Sequence, residues 1–233
     1  MGGETGGETG APAAGFEPKM LNKGKLWENL RMSTHFKPSR KGKPNTPNQV
    51  RIIGGRWRSR VIDFADADGL RPTANRVRET LFNWLGQSLH DRRCLDLFAG
   101  SGALGFEAAS RGAVEVVMVE SNRRAAQSLA DNCARLDASA CRVVTGEAIN
   151  YLDRNPALFD VIFVDPPFAS ALLQPLLPRL AAHVAPEGMV YVEWGAPVTD
   201  ALAQLPRHPW RILKQGRAGV VHFALLSLAE GAS

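Results

Sequence analysis

No stretch of about 18 uncharged apolar residues occurs in this 233-residue chain, so a membrane-spanning helix is not expected. The amino terminus lacks a basic segment leading into an apolar one, which argues against a secretory leader and for a cytoplasmic protein. Cysteine is scarce. Cys94, Cys133 and Cys141 stand far apart with no C-x-x-C spacing, which argues against a disulfide framework and a zinc site. They are expected to pack as small apolar residues. The five histidines are scattered, so no metal centre is expected. The most local absence is of acid. From Ser33 to Ile62 there is no Asp or Glu, while Lys37, Arg40, Lys41, Lys43, Arg51, Arg56, Arg58 and Arg60 supply eight positive charges. That field suits a polyanion such as nucleic acid; a solvated basic tail is the alternative.

What the chain does contain is enough for one folded domain. Hydrophobic residues make up 45% and charged residues 22%, and the length allows a core plus a small extra element. Residues 1–48 are expected to be a disordered basic tail: "GGETGGETG" is low-complexity, and the rest of the segment mixes Lys, Pro, Asn and Ser with few large apolar residues. Residues 49–90 form a second region. "VRIIGGRWRSRVIDF" predicts two short strands around Gly54 and Gly55, and a helix starts at Pro72-Thr73 with Val77, Leu81, Trp84 and Leu85 at helical spacing.

From residue 91 to 233 strands and helices alternate. The pattern predicts strands at 94–99, 114–120, 141–146, 159–165 and 188–194, with helices at 103–111, 122–136, 147–154 and 170–183. That rhythm is an α/β, Rossmann-like parallel sheet covered on both faces. "WRILKQGRAGVVHFALLSL" then predicts a terminal antiparallel hairpin, for a seven-stranded, mostly parallel sheet.

The first strand of that series runs into "DLFAGSGALGFEAA". Gly100, Gly102 and Gly105 form G-x-G-x-x-G, which brings backbone close to a ligand at a helix start. Glu120 ends the next strand, where a carboxylate reaches ribose hydroxyls. NAD, FAD and S-adenosylmethionine all fit this much. Asp96 favours the last, because a carboxylate before the glycine turn opposes a pyrophosphate but suits a sulfonium and an α-ammonium. Glu147 comes directly after the third strand, with Ala148 and Ile149 beside it for an adenine ring. Asp96 as a loop cap and Glu147 as a helix cap are the alternatives.

The fourth strand ends "VIFVDPPF". Ligands of open α/β sheets lie at the carboxyl ends of strands, beside the switch in strand order. Asp165 and the Pro166 carbonyl there supply two acceptors for the two N–H bonds of an exocyclic amine, so its lone pair is aimed at an incoming methyl group. Pro166 and Pro167 hold that geometry before substrate arrives, and Phe168 offers a face to an unpaired or flipped base. The plain alternative is a strand-ending turn with Phe168 in the core.

"DLFAGSGALGFEAASRG" followed by "FVDPPF" resembles the class I S-adenosylmethionine-dependent methyltransferases that act on amino groups. "RIIGGRWRSR" and "GLRPTANRVRETLFNWL" upstream make the chain similar to the bacterial 16S rRNA guanine-N2 methyltransferase family, RsmD, from about Val50 to Leu228. The resemblance implies donor contacts at Asp96, Phe98, Gly100, Ser101, Gly102, Glu120 and Thr73, and less firmly at Glu147, where the family often has Asn or Asp. It implies catalysis by Asp165, Pro166, Pro167 and Phe168. It also implies methylation of a guanine in 16S rRNA, in an assembled or partly assembled small ribosomal subunit. Arg51, Arg56, Arg58, Arg71 and Arg78 would then grip RNA backbone, and Trp57 could stack on a base or pack on its own hairpin. Thr73, Phe82 and Asn83 fall in the segment that closes over the donor in related enzymes, and helix packing explains Phe82 equally well.

Asp-Pro-Pro-Phe does not choose the base. Adenine N6, cytosine N4 and a protein amide remain open, as does a noncatalytic RNA-binding assembly factor. A dehydrogenase is disfavoured by Asp96 and by the want of a substrate acid or base.

Overall fold

The computed structural model describes residues 48–64, 75–167, 171–205 and 207–229. The expected basic tail with Lys37, Arg40, Lys41 and Lys43, the helix start at Pro72-Thr73, Arg71, and Phe168 lie outside the described residues. Seven strands form the main sheet: β3 (Arg93–Asp96), β4 (Glu115–Glu120), β5 (Cys141–Thr145), β6 (Phe159–Val164), β7 (Val184–Trp194), β8 (Trp210–Ala218) and β9 (Val221–Leu228). Their order is β5-β4-β3-β6-β7-β9-β8. β5, β4, β3, β6 and β7 run parallel, and β9 lies antiparallel to both β7 and β8. The switch in strand order therefore falls between β3 and β6, which places Asp165-Pro166-Pro167 beside the glycine turn.

Alternation along the strands builds two cores. Cys94, Met118, Val161, Phe163, Tyr191 and Phe223 face α1 (Asn75–Trp84), α2 (Ala103–Ser110) and α3 (Arg123–Leu136). Leu95, Val117, Ile162, Val164, Val190 and Val192 face α4 (Ala148–Arg154), α5 (Leu173–Leu180) and α6 (Val198–Ala203). Strands with apolar side chains on both faces are what a sheet buried between helix layers requires.

β1 (Asn48–Arg51) and β2 (Val61–Phe64) form a separate antiparallel pair. Their apolar residues Val50, Ile52, Ile62 and Phe64 join the core of the α1–α3 face. The arms are shorter than the sequence suggests, and residues 52–60 form a long turn rather than a two-residue one. That turn lies over α2, which explains why all eight residues of "ALGFEAAS" are buried: the sheet covers one side and the turn the other.

Two elements depart from expectation. β7 begins at Val184 rather than 188; its register slips against β6, and Glu187 takes φ 61° where Pro186-Glu187-Gly188 reads as a break. α6 is only six residues long, too short for a periodic signal.

Candidate active site

Four neighbouring strands carry an acid at their carboxyl ends: Glu120 on β4, Asp96 on β3, Asp165 just beyond β6, and Glu193 on β7. Register puts them on one face. Asp96 pairs with both Met118 and Phe163, and Phe163 pairs with Tyr191, so Glu120, Asp165 and Glu193 each stand two residues further along the same face.

Gly102 caps α2 with φ 80°, and a Cβ there would come within 2.6 Å of Leu129 and Phe106, so the turn needs glycine. Two carboxylates brace this turn. Asp96 is 2% exposed, and its Oδ2 accepts the Gly105 N–H at 3.0 Å. Glu120 accepts the Gly100 N–H at 2.8 Å through Oε2 and the Asn122 N–H at 2.7 Å through Oε1. Burial and then the neighbouring Asp165 push the Asp96 carboxyl up to about 7, against the pull of the Gly105 and Phe98 amides. Among the described residues, the charged groups that act on Asp96 are acids, Asp165 and Glu120.

The Pro-Pro step restricts both Asp165 and Pro166 to extended backbone, which fixes the direction of the Asp165 side chain and the Pro166 carbonyl. Asp165 is half-buried, Pro166 buried and Pro167 exposed. Phe98 is half-buried and Ser101 buried in the turn. Glu147 stands exposed at the start of α4 and makes no capping hydrogen bond, so the helix-cap alternative is not what its side chain does here. Thr73 and Phe168 lie outside the described residues.

The arginines separate into two groups. Arg51, Arg56 and Arg58 are exposed. Arg51 donates to the Ser59 carbonyl at 2.8 Å, and the Arg56 guanidinium lies 4.2 Å from the Trp57 ring centroid. Arg78 is different and corrects the expectation of an RNA contact: it is 0% exposed. It donates to Asn75 Oδ1 at 2.6 Å and to the Arg51 carbonyl at 2.9 Å, and lies 3.5 Å from Glu107. It cannot reach a phosphate without unfolding the packing around it. The period already carried this signal, since Arg78, Leu81, Phe82 and Leu85 fall at i, i+3, i+4, i+7 and form one stripe. Trp57 is 5% exposed and packs in the core, so it is not a base platform. Phe82 is buried 6.1 Å from Phe163.

Residues that the sequence did not single out make the other end of α2. Glu107 accepts the backbone N–H groups of Ile53 and Gly54, both at 2.8 Å, and Arg111 Nε at 2.9 Å. Ser110 accepts the Trp57 N–H at 2.9 Å and donates to the Gly54 carbonyl at 2.6 Å. The "IIGGRW" turn is thus pinned to the carboxyl end of α2, about 12 Å along the helix from the glycine turn. A polar cleft of about 590 Å³ opens there, lined among others by Arg58, Glu79, Asn83 and Gln87. Asn83 therefore lines the cleft at the carboxyl end of α2, away from the glycine turn at its start.

A parallel sheet with one reversed strand, a glycine turn after β3 and acids along its carboxyl edge defines the class I methyltransferase architecture. Residues 50–227 match the family model described as "Conserved hypothetical protein 95". The chain belongs to this family, the RsmD family. Ribosomal RNA small subunit methyltransferase D of Escherichia coli is 43% identical over 187 residues, covering 78% of this chain and 93% of that one. Its Haemophilus influenzae counterpart is 39% identical over 188 residues, covering 78% and 95%. The solved structure of the Escherichia coli protein yhhF is 41% identical with a TM-score of 0.69, covering 78% of this chain and 99% of that one. The solved structure of SMU.776, a methyltransferase complexed with SAH, is 16% identical with a TM-score of 0.62 over 79% of this chain and 56% of that one, and shares the fold.

Proposed function

We propose that this methyltransferase carries a methyl group from S-adenosylmethionine to the exocyclic N2 of a guanine in a 16S rRNA loop. The observation that carries the reading is the row of acids at the carboxyl edge, with Asp165-Pro166-Pro167 at the strand-order switch beside the glycine turn. The similarity to ribosomal RNA small subunit methyltransferases supports RNA as the substrate.

The residues fit the donor. Gly100, Ser101 and Gly102 bring backbone close to the ligand, and Asp96 is a buried acid surrounded by acids, which the α-ammonium of the donor's amino-acid end relieves. Glu120 has lone pairs left beyond its two backbone bonds for the ribose hydroxyls. Glu147, with Ala148 and Ile149, borders the adenine side, and Phe98 and Thr73 complete the donor set that the resemblance implies. Bound there, the donor supplies an electrophilic methyl on a sulfonium.

The protein's own work is on the amine. Asp165 and the Pro166 carbonyl accept its two N–H bonds, turn the lone pair toward the methyl group and stabilise the positive charge that develops on nitrogen. The proton leaves afterwards, so no strong base is required. Phe168 stacks on the base. Arg51, Arg56 and Arg58, with Arg71, hold RNA backbone; their distance along α2 means that they grip nucleotides away from the methylated one. The described residues include no helix long and apolar enough to cross a membrane, in keeping with a cytoplasmic enzyme that works on small subunits during assembly.

Small subunits lacking the modification are the test. With tritium-labelled S-adenosylmethionine, label enters the subunit and nuclease digestion releases N2-methylguanosine, whereas Asp165→Ala binds the donor but leaves the subunit unlabelled. Release of N6-methyladenosine, or full turnover by Asp165→Ala, overturns the reading.

A further inference from the structure

The Asp-Pro-Pro turn explains why an amine is methylated but not why the amine belongs to guanine. The acid on the next strand bears on that choice. Glu193 is 3% exposed, yet it sits at the open carboxyl edge of β7, one strand beyond Asp165. Its Oε1 accepts the Tyr191 hydroxyl at 2.8 Å, a contact buried on both sides. Tyr191 is in turn fixed by Phe163 across the ladder and by the Phe223 ring 6.3 Å away. A carboxylate is costly to bury. Here it is buried, aimed by a fixed donor, and set toward the same face as Asp165, which stands one residue beyond the end of β6, the strand paired with β7.

Two carboxylates side by side form an acceptor pair, and the candidate bases differ in what they present to it. Guanine offers N1–H and the 2-amino group, two adjacent donors on one edge. Adenine offers its amino group next to the N1 lone pair, and cytosine offers its amino group next to the N3 lone pair. Those lone pairs would face Glu193 with repulsion.

Resting on the proposed guanine-N2 methylation, we infer that Glu193, held by Tyr191, accepts the N1–H of the target guanine while Asp165 and the Pro166 carbonyl hold its 2-amino group, so that Glu193 is the residue that selects guanine. Loss of a single donor opposite a buried acceptor discriminates strongly, by up to about 10⁴-fold where the site is built for it.

The experiment compares small subunits reconstituted with rRNA bearing guanine or 2-aminopurine at the methylated position; 2-aminopurine keeps the 2-amino group and lacks N1–H. The intact enzyme prefers guanine by about 100-fold or more in kcat/KM. Glu193→Gln, whose amide can turn to donate to the bare N1, brings the ratio to within about tenfold, with donor affinity unchanged. Tyr191→Phe keeps the carboxylate but removes the group that aims it, and it lowers the ratio by a smaller factor. If both variants lose activity equally on the two RNAs, the ratio stays fixed and Glu193 is only part of the scaffold, which overturns the inference alone. If the intact enzyme labels no 2-amino group in either RNA, the substrate reading falls and the inference falls with it.

Discussion

Helix α2 is met by a glycine turn at each end, and the two turns put the same chemistry to opposite uses. At its start, Gly100 and Gly102 turn the chain, and Asp96 and Glu120 accept backbone amides. At its far end, Gly54 and Gly55 turn the chain, and Glu107 accepts backbone amides. Gly55 takes φ 72°, and a Cβ on it would lie 1.9 Å from the Ser110 carbonyl oxygen. The difference lies in the charge balance. Glu107 has Arg111 at 2.9 Å and Arg78 at 3.5 Å, so its charge is met inside the protein. Asp96 has burial and like charge instead, which raise it to about 7. An acid satisfied by its own chain clamps the fold; an acid left among acids suits the cation that the proposed donor would bring.

The largest expected effect is on the clamp. Glu107→Ala leaves Arg78 and Arg111 buried without their counter-charge, a loss on the order of 3–5 kcal/mol. Thermal unfolding should then move down by on the order of 10 °C. A variant within a degree or two of the parent would show that the α2 clamp is not what holds the turn.

At the start of α2, the charge on Asp96 shows itself through pH. Below about 7 its carboxyl is protonated, and above that pH it is ionised. A bound ammonium favours the ionised form, so donor binding releases a proton and affinity rises by up to about tenfold per unit as pH climbs toward 7, then levels off. The sign for stability is opposite. A carboxyl raised in the folded state gives up stability as pH rises from the ordinary carboxylate range to about 7. Asp96→Asn should flatten both slopes in calorimetric titrations and thermal scans run from about two units below that value to about one unit above it. A slope retained in the variant would move the titration to another group.

The smallest effect concerns the exposed arginines on the clamp's outer surface. Replacing Arg56 and Arg58 together with Ala should weaken RNA binding several-fold and reduce the slope of log affinity against log salt by about 1.4, two phosphate contacts on a single strand. Folding stability should hardly change, because both guanidinium groups are exposed. An unchanged salt slope would make the "IIGGRW" turn a clamp and nothing more.

The alternation of apolar strands with amphipathic helices, the glycine turn and the Asp-Pro-Pro step are all local in the chain, so each was legible as residue order. Periodicity reports which face of an element is apolar, and a proline pair restricts its own backbone wherever it sits. The partners of a charge are not local. Arg51, Arg56, Arg58 and Arg78 look alike in sequence, and only the packing of α1 against α2 separates a buried counter-ion from three exposed cations. Glu193 likewise reads as the end of "GMVYVEW". It becomes a neighbour of Asp165 because β7 pairs with β6, 28 residues apart in the chain at the Phe163–Tyr191 rung. Sequence by itself determined the sheet, the glycine turn and the Asp-Pro-Pro step, since each is written in contiguous residues. Tertiary structure decided which charges are satisfied within the protein and which acids meet at the edge, because hydrogen bonding and Coulomb attraction depend on distance in space.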